Sequence, residues 1–217
     1  MARPRLSAEA ADGIRADICA AAAALYERDG YDAVTLRAIA AAMGRSQALP
    51  YRYFKNKEHI FAALRAVWFD RLTALLEAAI EGLESPLLKL HTIARTVIAF
   101  AQSQPSEYRL MFSLRQPDPT DFPELHAARL RAMATVQTAY QEAVDARLIP
   151  GDGATGAHVT WASLHGLLSL HLAGQLTIGR SLEELIQPML DTLFGPRLMA
   201  VVEASARSER RRKQAAD

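Results

Sequence analysis

The chain has 217 residues, half of them apolar and 23% charged, and a formal net charge of +1. This is enough apolar material for one compact domain, or for a small domain beside a larger one, and near-neutrality excludes a polycation. Any attraction to nucleic acid must therefore come from local charge, and the single cysteine, Cys19, excludes an internal disulfide.

Cys19 sits in an alanine-rich stretch and is expected as a core thiol in a reducing compartment. Arg3 and Arg5 are followed by Glu9, Asp12 and Asp17 before any apolar run, unlike a secretory leader, so a cytoplasmic location is expected. Apolar residues recur at helical spacing almost throughout and no stretch alternates with strand period, which predicts an all-α fold. The first helix sets Ile14, Ile18, Ala21 and Leu25 on one face and stops at Asp29 and Gly30. After a turn through Tyr31 and Asp32, Thr35 is expected to cap a short helix carrying Leu36, Ile39, Ala40 and Met43 inward as far as Gly44. Ser46 is expected to cap the next. From Asn56 a long helix is predicted toward Leu83, with Phe61, Leu64, Trp68, Leu72, Leu75 and Ala79 in one stripe, joining two domains.

Ser85-Pro86 and Gln104-Pro105 each place a polar residue before a proline at the first helical position, where its missing N–H costs nothing. Three prolines within 117–123 predict a loop. Met133, Val136, Tyr140 and Val144 mark a further helix ending near Pro150, and Gly151, Gly153 and Gly156 bracket the following turn. The stretch 154–179 has no Asp, Glu, Lys or Arg. Its His158, Ser163, His165, Ser169, His171 and Gln175 favour a buried helix over a membrane span. Ser181 and Glu184 form a capping box, Pro188 should kink or delay the helix it starts, and Gly195-Pro196 should stop it. The expected organisation is an N-terminal DNA-binding domain over 1–60, a helical effector-binding and dimerisation domain over 61–206, and a frayed basic tail over 207–217. That tail, with Arg207 and Arg210 to Lys213, offers at most an auxiliary phosphate contact.

The segment 35–57 supplies two short helices joined by a tight turn, the geometry by which a helix-turn-helix sets its second helix in the major groove. No acidic residue occurs from 33 to 57, whereas Arg37, Arg45, Arg52, Lys55 and Lys57 are all basic, so this face can displace phosphate counterions. Arg45, Ser46, Gln47 and Leu49 stand at the start of the second helix as readout candidates, arginine and glutamine being suited to guanine and adenine. Tyr51, Arg52, Tyr53, Lys55 and Lys57 carry donors for the DNA backbone, and Thr35 and Arg37 for the opposite phosphate strand. The competing reading is a basic surface on a helical bundle, with Tyr51 and Phe54 as packing; the acid-free run weighs against it.

Thr35-Leu36-Arg37-Ala38-Ile39-Ala40, Gly44, Ser46 and Tyr51-Arg52-Tyr53-Phe54 followed by Lys57-Glu58 resemble the DNA-binding domain of the TetR family of transcriptional regulators. The resemblance covers roughly residues 10 to 60. Downstream, Trp161-Ala162-Ser163-Leu164-His165-Gly166 resembles the tryptophan-histidine-glycine (WHG) signature of one class of TetR-like C-terminal domains. Two positions depart from the family pattern: Arg45 stands where an apolar residue is usual, and Pro50, which lacks a backbone donor, where leucine or isoleucine is usual. A recognition helix that starts late would accommodate the proline.

The resemblance implies a homodimeric repressor that binds a palindromic double-stranded operator and is released by a small-molecule effector. It further implies a four-helix dimer interface from the last two long helices of each subunit, and Leu168, His171, Leu172, Leu185, Met189, Leu193 and Phe194 are expected there. Trp68, Phe100, Tyr108, Met111, Phe112, His126, Met133, Tyr140, Trp161 and His165 are candidates to line the effector pocket. Each is also an ordinary core residue, but as an aromatic and Met-rich set they suit an apolar or aromatic effector. His126, His165 and His171 lack an accompanying Cys or carboxylate cluster, so structural imidazoles are expected rather than a metal site, and no cofactor is implied. A helical enzyme or a non-DNA adaptor is the alternative. No nucleophile elbow, phosphate loop or paired metal motif supports an enzyme.

Overall fold

In a computed structural model of the chain, residues 8–113, 117–195, 198, 200–204 and 207 are described. Among them every regular element is a helix: α1 (Ala8–Asp29), α2 (Leu36–Ala42), α3 (Ala48–Tyr53), α4 (Lys57–Ile80), α5 (Pro86–Ser103), α6 (Pro105–Ser113), α7 (Pro123–Asp145), α8 (Gly153–Leu172) and α9 (Leu182–Phe194). They form two compact units: the described residues through Trp68 with 117–128, and residues 69–113 with those from 129 onward. The division falls within α4 and within α7, rather than at the 60/61 boundary expected from the sequence. A continuous helix gives no composition change where its buried contacts pass from one core to another. The tail beyond residue 207 lies outside the described residues.

In the first unit α1 and α3 pack on α2. Ile18, Ala22 and Leu25 of α1 are buried, as are Leu36, Ile39 and Ala40 of α2 and Phe54 just after α3. Burial of this apolar face, at ~25 cal/mol per Å², holds together helices of six and seven residues that would be unstable alone. Thr35 caps α2 as expected, its hydroxyl accepting the Ala38 N–H at 3.0 Å. Gly44, at φ +61°, ends α2: its N–H donates to Ala41 and that of Arg45 to Ala40, both at 3.0 Å. This is the paired arrangement that satisfies the last carbonyls of a helix.

The expected cap at Ser46 does not form. Gln47 precedes α3 and makes no side-chain capping bond, while Ser46 supplies only its carbonyl, to Leu49 N–H at 3.0 Å. The helix therefore starts at Ala48, and Pro50 is its third residue, where N–H groups have no helical partner in any case. Along α4 the stripe holds through Leu72 and then shifts, because Leu76 is buried and Leu75 is 43% exposed. The 3.6-residue repeat reaches either leucine, and packing in the second unit selects Leu76.

In the second unit α5 packs against α6, α8 and α9. Ser85 caps α5 with Pro86 at its start, and the Ser181–Glu184 capping box is present in full. α9 runs through Pro188 and ends at Gly195, φ +81°. In this unit the inward face of α7 is carried by Ala139 and Ala143, while Met133, Val136, Tyr140 and Val144 are half-buried. α7 and α8 approach closely at Gly156, where an added Cβ would land on the Tyr140 ring. α7 ends through Arg147 at φ +56°, whose N–H donates to Val144 while Leu148 N–H reaches Ala143. Among the described residues no helix is long and apolar enough to cross a membrane.

Candidate nucleic-acid interface and aromatic cluster

The first unit presents the acid-free segment on its surface. Thr35, Arg37, Arg45, Ser46, Gln47, Arg52 and Lys55 are exposed, Tyr51 is 62% exposed, and Leu49 and Tyr53 are half-buried. Placement on α2, the turn and α3 follows from opposite requirements on the same short helices. Apolar Leu36, Ile39, Ala40 and Pro50 turn inward, and Arg37, Ala41, Ala42, Ala48, Tyr51 and Arg52, all neutral or basic, turn out. A surface with donors and no carboxylates suits a polyanion.

Lys57, grouped in the sequence with these donors, is placed differently. It is half-buried at the first position of α4, its ammonium 3.3 Å from the Tyr31 carbonyl oxygen and 4.1 Å from the Tyr31 ring centroid.

A residue that the sequence reading did not single out fixes α3. Arg15 of α1 donates to the Tyr53 carbonyl at 3.0 Å and lies 4.5 Å over the Phe54 ring. A cation at a helix C-terminus satisfies a carbonyl lacking a helical partner and complements the helix dipole. The signal was present, since Arg15 follows directly on Ile14 and precedes Ile18 at the margin of the buried face. Cys19, on the same helix, is half-buried, and burial pushes its thiol up to about 11.

The candidate effector residues divide between the units. Trp68 and His126 belong to the first; Phe100, Tyr108, Met111, Phe112, Met133, Tyr140, Trp161 and His165 belong to the second. There the structure gathers four of them. Tyr108 and His165 share a hydrogen bond of 3.2 Å, with ring centroids 5.9 Å apart. Phe112 lies 4.8 Å from Tyr108, 5.1 Å from His165 and 6.2 Å from Trp161, and Phe69 meets Phe112 edge-on at 5.4 Å. Ser169 Oγ is 3.3 Å from His165 Nε2. Burial raises the Tyr108 phenol and lowers His165 from its ordinary value of 6.5, so both are held neutral. Phe100 and Met111 are buried in the core, and Tyr140 is the ring that packs on Gly156. Among the described residues no three His, Cys, Asp or Glu side chains gather as metal ligands.

Of the expected interface residues, Leu168 and Phe194 are buried inside the subunit, and His171, Leu172, Leu185, Met189 and Leu193 are half-buried. The face of α8 that is left open carries Val159, Ala162, Gly166 and Leu170, all exposed. These lie at helical spacing with no charge among them. Trp161, 39% exposed, borders this face.

Comparison with known proteins agrees with both units. Residues 18–64 match the family described as bacterial regulatory proteins, tetR family, and residues 90–193 match the tetracyclin repressor-like C-terminal domain. The nucleoid occlusion factor SlmA of Haemophilus ducreyi is 33% identical over 87 residues, which are 40% of this chain and 43% of that protein. The chain thus spans half or less of the length of the curated relatives it matches. Among solved structures, a protein of unknown function from Rhodococcus sp. RHA1 is 30% identical, with a TM-score of 0.72 over 83% of this chain and 93% of that one. The regulator AibR, solved with isovaleryl coenzyme A and operator DNA, shares the fold at 22% identity, with a TM-score of 0.62 over 84% of this chain and 99% of that one.

Proposed function

The chain belongs to the TetR family of DNA-binding transcription regulators, which are not enzymes, and from that membership we propose that it is a homodimeric repressor released from its operator by a small molecule. The observation that carries this reading is the α2–turn–α3 surface, exposed, basic and without a carboxylate from 33 to 57. Arg45, Ser46, Gln47 and Leu49 occupy the turn and the start of α3 and read base edges; Thr35, Arg37, Tyr51, Arg52, Tyr53 and Lys55 hold the phosphates on either side.

The uncharged face of α8 supports the dimer. Gly166 lies mid-helix, where glycine costs about 1 kcal/mol relative to alanine, and among the described residues of its own subunit nothing approaches an added Cβ. Close approach by the same helix of a second subunit accounts for that glycine, with Val159, Ala162 and Leu170 beside it and Leu185, Met189 and Leu193 of α9 completing the contact. Leu168 and Phe194 support this surface from within.

The effector reading rests on the cluster of Tyr108, Phe112, Trp161 and His165, where aromatic faces surround one neutral hydrogen-bonding pair. An apolar or aromatic ligand suits it. That AibR was solved with an acyl-coenzyme A and operator DNA supports ligand control within this fold. The cluster includes Phe69 of α4, the helix that begins at Lys57 directly after the recognition segment. Effector binding tilts α4 and takes the two recognition helices out of register with adjacent major grooves. By linkage the effector binds the free dimer more tightly than the DNA-bound one. The WHG character of the C-terminal domain, carried by Trp161, His165 and Gly166, belongs to the same proposal.

The experiment is binding of the purified protein to DNA flanking its own gene, across salt concentrations and with a panel of aromatic and apolar metabolites. Salt-sensitive binding to a palindrome, lifted by one compound, is expected. Salt-independent binding or none would overturn the regulator reading.

A further inference from the structure

We infer that Lys57 positions the DNA-binding unit by locking the α1–α2 turn to the first turn of α4, and does not serve as a phosphate contact. The inference rests on the DNA-binding reading above and refines it at one residue. Lys57 is the only one of the five basic residues of 33–57 that is not exposed. Its ammonium has two partners on a single residue, the Tyr31 carbonyl oxygen at 3.3 Å and the Tyr31 ring at 4.1 Å. Tyr31 also meets Phe61, ring centroids 4.7 Å apart, and Phe61 in turn meets Tyr26 edge-on at 5.9 Å.

These contacts connect three elements. Tyr26 is in α1, Tyr31 is in the turn after Gly30, and Phe61, one turn beyond Lys57, is buried in α4. The turn sets where α2 begins, since Val34 N–H donates to the Tyr31 carbonyl at 3.3 Å just before the Thr35 cap. One carbonyl thus accepts from the backbone that leads into α2 and from the lysine that opens α4. A carbonyl has two lone pairs, and both are used. A phosphate would have to draw the ammonium away from a ring face and a carbonyl that are already in place, whereas Arg37, Arg52 and Lys55 are exposed. The cation–π contact gives the lock a strength that a solvated lysine would lack.

Two readouts separate positioning from phosphate contact. In the unmodified protein, the Lys57 side-chain methylene protons next to the ammonium should be shifted upfield by the Tyr31 ring, and the shift should persist in the DNA complex. Its collapse on DNA binding would overturn the inference. In Lys57→Met, affinity for the same DNA should fall about fivefold at every salt concentration, with the slope of log K against log salt unchanged. Tyr31→Leu, which keeps the lysine charge, should cause a similar loss, and the double variant should lose little more than either alone. A slope reduced by about one in Lys57→Met, with tight binding by the unmodified protein, would overturn the positioning role alone. Absence of binding by the unmodified protein would overturn the regulator reading instead.

Discussion

Arg52 and Arg15 are both arginines of the first unit, and the structure gives them opposite duties. Arg52 is exposed on α3, whereas Arg15 is turned inward to the carbonyl that ends it. Arg52→Ala is expected to lower the salt slope of DNA binding by about one, because a single phosphate contact and its released counterion are lost. A second residue-scale prediction concerns His165. Its folded-state value is depressed by burial below 6.5, so as pH falls through that value the unfolded chain takes up the proton first. The contribution is therefore fully present above about 6.5 and is lost as pH falls toward the folded-state value. His91, depressed by burial and by Arg95, acts with the same sign. Denaturant midpoints should drop between pH 7.5 and 5.5, and His165→Gln should flatten that drop; an unchanged pH dependence in the variant would contradict the assignment.

At the scale of elements, Arg147 just after α7 and Gly156 within α8 give contrasting tests. Arg147 occupies a left-handed conformation that costs an ordinary residue about 1 kcal/mol, and it is exposed, so Arg147→Gly should raise stability by about that amount in thermal or denaturant unfolding. Gly156→Leu should do the reverse, lowering it by about 1–3 kcal/mol, because the added side chain meets the Tyr140 ring. These positions also show where the sequence was legible. Helix ends written in side-chain chemistry, Thr35, Ser85 and the Ser181–Glu184 pair, were readable because a capping residue is chosen for a local bond. Arg147 carries no such mark, and neither does the alanine face of α7, since small residues give little contrast between inside and outside. Leu75 and Leu76 were indistinguishable for the same kind of reason: two adjacent leucines fit one stripe. In the interface, exposure could be anticipated from the acid-free run, but the engagement of Lys57 by Tyr31 and of Arg15 by Tyr53 joins positions 26 and 38 residues apart, which no local pattern records.

For the whole molecule, the consequence of the open α8 face is a stoichiometry. Leu170→Glu places a charge on an apolar contact without disturbing the subunit's own core, because Leu170 is 44% exposed. Sedimentation should then report a monomer with unchanged helical content, and DNA affinity should fall by orders of magnitude as the two half-sites cease to be bound together. A variant that stays dimeric would place the interface elsewhere.

The late start of α3 has a consequence that can be counted in bits. Six residues rise about 9 Å along the helix axis, so α3 can scan roughly three base pairs at about 3.4 Å each. A three-base word recurs by chance about every 64 base pairs and a matched pair of them about every 4,000, which in a genome of several million leaves on the order of a thousand decoys. The discrimination that α3 alone lacks falls to Arg45, Ser46 and Gln47 in the turn before it and to how readily the spacer between half-sites bends and twists. On the proposed repressor reading, the operator is two short words, each read by α3 and the turn before it, separated by a stretch of restricted composition.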